Sequence, residues 1–161
     1  MATFRVPSPN ELTQPIRNAV QSLKDYIDKF LPQGVVAYAE VTANQTGFTS
    51  TASDITSLTA TWTAVAGRRY RITGHLGCAQ QNTSGGFWNL QITDASNTIQ
   101  ALAPHSLAVG EQAPITAFEV VVPGAGSITR KLRARTSAGT GDVLASSART
   151  AFILVEDIGP A

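Results

Sequence analysis

A chain of 161 residues suits one domain with a real core, alone or with a small appendage, and excludes two full domains. Apolar residues make up 43% and charged residues only 14%, against a usual ~25%, so Thr, Ser, Ala, Gly and Val dominate and favour short strands and turns over helices. A formal net charge of +1 removes domain-wide attraction for nucleic acid, the single cysteine Cys78 excludes an internal disulfide framework, and no apolar run approaches the ~18 residues of a membrane span.

The first residues lack an apolar h-region, so no signal peptide is expected, and Pro7 and Pro9 predict an extended arm over Met1–Pro7. Ser8-Pro9-Asn10-Glu11 reads as a capping box with proline at the first helical position. Because Pro15 breaks a helix interior, the main helix is predicted from about Gln14 to Leu31, after at most one short turn, and Pro32-Gln33-Gly34 stops it. Ile16, Val20, Leu23, Ile27 and Phe30 recur along it at alternating spacings of four and three, the a/d seam of a coiled coil. Arg17, Gln21, Lys24, Asp25 and Asp28 surround that seam with polar groups. At ~1.5 Å per residue the helix is only ~25 Å long, too short to stand alone. Its stripe must therefore be buried, either as a lid on the chain's own β-domain or on copies of itself. A two-position seam is narrower than the apolar face of a globular helix and favours self-association. Residues 1–33 are thus predicted to form an arm and an anchoring, oligomerising helix.

From Gly34 the period changes from 3.6 to 2. Strands are predicted at Val35–Thr42, Leu58–Val65, Arg68–Cys78, Phe87–Thr93, Thr98–Leu102, Ile115–Val122, Ser127–Thr136, Val143–Ser147 and Ala151–Asp157. Asn44–Gly47, Asn82–Gly86, Asp94–Asn97, Pro123–Gly126 and Ser137–Asp142 supply turn chemistry between them. Short strands with no second helical pattern predict a mainly β fold, an antiparallel, jelly-roll-like β-sandwich over residues 34–161, preceded by one N-terminal amphipathic helix.

Chemistry is sparse. His75 and Cys78 lie three apart on a strand, hence on opposite faces, and no second ligand pair follows. No nucleophile elbow, zinc-protease helix or phosphate loop is present. No catalytic residue, metal site or cofactor is predicted. Arg69 and Arg71 share one strand face, and Lys131, Arg133 and Arg135 share another. If those strands are neighbours they form a basic stripe, which would attract an anionic partner such as an acidic glycan. The plainer reading is a solvated outer face partly paired with Glu40 and Glu119, and it weighs more. Trp62 alternates within its strand and reads as core. Phe87 and Trp88 must point to opposite faces, so one ring is a candidate for sugar stacking or a subunit contact.

Three strings carry a resemblance: Gly34-Val35-Val36-Ala37-Tyr38-Ala39, Trp62 to His75 (TWTAVAGRRYRITGH from Thr61), and Ala151 to Pro160 (AFILVEDIGP). They resemble a β-domain of structural proteins from tailed phages of actinobacteria, the minor tail proteins and other virion surface components. The resemblance covers roughly Gly34 to Ala161, brings no functional residues, and implies a homotrimeric virion protein. The expectation is a non-enzymatic minor tail or tail-tip component, docked on other virion proteins through its arm and helix, with the sandwich outward. A capsid decoration protein is the alternative. A host-glycan binding module, using Trp88, His75 and the basic residues, is the second alternative. Neither nucleic acid nor membrane is an expected partner.

Overall fold

The computed structural model describes residues 9–161, with side chains from Thr13 onward except that of Asp28. The predicted extended arm and the capping box, through Ser8 and the Glu11 side chain, lie outside the described residues. One helix, α1 (Pro9–Phe30), precedes ten strands: β1 (Gly34–Val41), β2 (Gln45–Phe48), β3 (Ser53–Ala64), β4 (Arg68–Gln81), β5 (Gly86–Thr93), β6 (Ile99–Leu107), β7 (Gln112–Val121), β8 (Gly126–Thr136), β9 (Gly141–Val143) and β10 (Ala151–Pro160).

The helix begins five residues earlier than predicted and runs through Pro15. Proline so near the N-terminus removes only one bond to a carbonyl in the first turn, which the rest of the helix tolerates. Its polar side is laced by i,i+4 side-chain hydrogen bonds from Gln14 to Asn18 and from Gln21 to Asp25.

The strands form two antiparallel sheets. In one, β4 is flanked by β7 along one side and, along the other, by β10 and then β9. β1 pairs with β10 and β2 with β9, so six strands occupy four lanes. The other sheet runs β3-β8-β5-β6. From β2 to β5, and again from β6 to β9, the chain changes sheet at every connection. That is the winding of a jelly roll, as the sequence predicts. Apolar side chains at period two fill the space between the sheets: Leu58, Ala60 and Trp62 from β3, Ile72 and Leu76 from β4, Leu90 and Ile92 from β5, Leu132 from β8, Ile153 and Val155 from β10.

Two local predictions change. Asn44–Gly47, read as a turn, is mostly strand β2, held because the Gln45 amide accepts from Thr56 N and donates to its carbonyl, while Gly47 N donates to Asp142. Those bonds span long sequence separations that local turn chemistry does not report. The strand predicted at Val143–Ser147 ends at Val143, and Leu144–Thr150 bulges before β10 resumes the lane.

Two ion pairs sit at inward positions. Glu119 and Arg130 meet across the sheets in a fork of two 2.8 Å bonds, almost buried. Asp157 follows Ile153 and Val155 on the inner face of β10 and grips Arg68 at the start of β4. Both side chains are about 95% buried or more, and Gly159 N gives Asp157 a third bond at 2.9 Å. Removing one partner of such a pair strands a buried charge. Asp157→Ala is therefore expected to cost about 3–5 kcal/mol in urea unfolding. A loss below about 1 kcal/mol would show that water reaches Arg68 and that the pair does little.

Candidate functional site

The Arg68 guanidinium reaches past Asp157 to the end of α1. It donates to the carbonyl of Lys29 at 3.2 Å and to that of Leu31 at 2.5 Å. The last carbonyls of a helix lack intrahelical partners and carry the negative end of its dipole, so a cation there satisfies both. Pro32 packs over Gly159, and Ala161 N closes on the carbonyl of Gly67. The helix thus leaves the sandwich from a fixed mount rather than a loose hinge.

On that mount the predicted seam stands in solvent. Ile16, Val20, Leu23, Ile27 and Phe30 are between 40 and 64% exposed, and Tyr26 stacks on Phe30 one turn on with ring centroids 4.9 Å apart. Among the described residues the helix does not lie as a lid on its own β-domain.

The basic residues do not come together. Arg69, Arg71 and His75 face outward from β4. Lys131, Arg133 and Arg135 face outward from β8, in the other sheet and on the opposite side of the sandwich. The single basic stripe is corrected accordingly, because period two fixes the face of each strand but not its neighbours. Their partners also differ from those expected. Arg71 binds Glu156, Lys131 and Arg133 share Asp54, Glu119 is engaged by Arg130, and Glu40 accepts from Tyr38. The hydrogen bond from Lys131 foremost, then Arg133, holds the Asp54 carboxyl below its ordinary range.

Trp88 is also corrected as a surface contact. It is fully buried against Phe48, and the exposed member of the pair is Phe87. Trp62 is core, as predicted.

The outer face of the six-stranded sheet holds what sequence reasoning missed. Paired residues on neighbouring strands share a face, which places Tyr38 beside Leu154, Leu154 beside Thr73, and Thr73 beside Phe118. The next row sets Glu156, Arg71 and Val120 side by side. Phe118 is 69% exposed, and Tyr38, Val120 and Val122 are each more than half exposed. The signal was present in the parity of β7: Thr116, Phe118, Val120 and Val122 alternate with Ile115, Ala117 and Val121, so both faces are apolar where one would be enough.

His75 lies on this face, its Nδ1 2.8 Å from the Thr116 hydroxyl and its ring 5.1 Å from that of Phe152. Partial burial pushes its pKa below 6.5. The folded chain therefore binds this proton less readily than the unfolded chain, and stability falls as pH drops through the ordinary histidine range. An NMR titration is expected to give His75 a midpoint below the ordinary histidine value of ~6.5, and His75→Gln is expected to flatten the stability profile between pH 7 and 5. A His75 midpoint above ~6.5 would contradict the burial argument.

No family model matches the chain, and no curated protein matches it by sequence. Among solved structures, it is similar to the Eiger TNF of S. frugiperda, with 13% identity over 80% of this chain and 96% of that one and a TM-score of 0.50. It is also similar to the globular domain of the zebrafish complement 1qA protein, with 12% identity over 76% and 96% and a TM-score of 0.40. A tripod protein from the baseplate of bacteriophage Tuc2009 is similar at 15% identity over 73% and 64%, with a TM-score of 0.35. At such identities the likeness to the first is one of fold, a jelly-roll sandwich.

Proposed function

We propose that this chain is a non-enzymatic building block of a phage virion, a minor tail or tail-tip component that trimerises through α1 and presents its sandwich outward. The observation that carries the self-association is the a/d stripe, left in solvent on a helix whose base is held by a buried arginine. An isolated helix of this length gains its stability from packing its apolar face, and here no other described element covers it. The phage assignment is supported by the resemblance of the Gly34, Trp62 and Ala151 strings to virion β-domains. The balanced charge suits contacts between proteins better than contacts with nucleic acid.

Leu23→Asp combined with Ile27→Asp places two carboxylates in the seam of every copy. The dissociation midpoint seen by sedimentation across a dilution series is expected to rise at least about 100-fold, since removing a packed Leu or Ile side chain costs more than the ~1.4 kcal/mol of a tenfold change. An unchanged midpoint with an intact sandwich would overturn the helical trimer. Imaging of labelled protein on particles tests the location: density at the tail supports the assignment, and density over the head replaces it with capsid decoration.

A further inference from the structure

We infer that the outer face of the six-stranded sheet, centred on Phe118 and Val120, is a contact between copies of this chain. The inference deepens the self-association reading above and rests on it, but adds a second surface that the helix does not contain.

The sandwich supplies its own control. An antiparallel sheet with one face in water alternates apolar inside with polar outside. In the β3-β8-β5-β6 sheet, strands β3 and β8 obey this: Thr59, Thr61, Thr63, Lys131, Arg133 and Arg135 face out, while Phe87 on β5 and Leu102 on β6 are exposed apolar groups. On the other sheet the outward positions carry Tyr38, Leu154, Ile158, Phe118 and Val120 instead. Large contiguous apolar patches are rare on soluble monomers and mark surfaces that something covers.

Three observations commit the occupant to a second copy. The first is charge. Among the described residues, the outward positions of β1, β4, β7 and β10 carry two cations, Arg69 and Arg71, and two carboxylates, Glu40 and Glu156. Arg71 and Glu156 already neutralise each other at 2.8 Å. Two such faces meet without net repulsion, whereas the opposite face sets three cations against Asp54.

The second is position. Val36 at the start of β1, Ile158 at the end of β10 and Val120 and Val122 at the end of β7 lie at the end of the sheet where Arg68 holds α1. Copies joined through their helices hold these faces at an effective concentration in the millimolar range, enough for a surface too weak to associate alone.

The third is shape. A shallow depression of about 270 Å³ lies between β4 and β7, lined by Arg71, Thr73, Phe118 and Val120. It is smaller than the ~300–1,000 Å³ of small-molecule sites and suits a protruding side chain from a facing surface.

The test uses the full chain with the seam intact. Phe118→Ser combined with Val120→Thr keeps strand-compatible residues at exposed positions, and Phe87→Ser on the other sheet is the control. Sedimentation across a dilution series is expected to show a dissociation midpoint raised at least about tenfold for the pair and unmoved for the control. If the pair variant does not fold, Val120→Thr alone is measured, and a rise of about threefold is expected. A face variant with the wild-type midpoint and an intact fold overturns the inference and leaves the helical trimer standing. An oligomer that dissociates in the face variant but is unaffected by the seam substitutions overturns the helix reading and keeps this contact. A wild-type chain that is monomeric throughout overturns both.

Discussion

The Arg68 guanidinium ties three parts of the chain to one point: the first residue of β4, the inner face of β10 through Asp157, and the last carbonyls of α1. Burying an arginine is costly unless its donors are met, and here a carboxylate fork and two helix carbonyls meet them. Asp157 is held in turn by the backbone of Gly159. The interaction does not belong to the apolar core. It decides how the helix leaves the sandwich, and so where the exposed stripe is carried.

With the helix fixed in this way, the distribution of apolar surface acquires direction. One end of the molecule carries a helix with a narrow apolar seam, and the adjoining end of one sheet carries Phe118, Val120, Val122 and Ile158 in solvent. On the opposite sheet β3 and β8 present Thr, Lys and Arg, with Lys131 and Arg133 folded onto Asp54. The division fits a subunit with an inner side for its copies and an outer side for water. Low overall charge assists, since Thr, Val and Ala can line a contact without an ion pair at each position.

Much of this was legible in the residues. Alternation at period two located nearly all the strands and assigned the inward face of each, and the four-three spacing from Ile16 to Phe30 marked the helical stripe. What the residues did not disclose is long-range. Arg71 and Arg133 look alike in sequence, yet they lie on opposite sides because β4 and β8 belong to different sheets. Phe87 and Trp88 exchange the expected roles because Trp88 meets Phe48 and the glycine at 141, partners distant in sequence. The Arg68 mount left a trace: Asp157 falls at the inward parity set by Ile153 and Val155, as Glu119 does after Ile115 and Ala117. A carboxylate at an apolar parity announces a buried partner without naming it.

The most direct test of the account is hydroxyl-radical footprinting of the intact chain at concentrations above and below its dissociation midpoint, comparing Phe118 with Phe87. Both rings are more than half exposed in the single chain, at 69% and 54%, on opposite sheets. The account predicts that concentration protects Phe118 and Leu23 while Phe87 stays reactive. Equal reactivity of Phe118 and Phe87 at every concentration would contradict it.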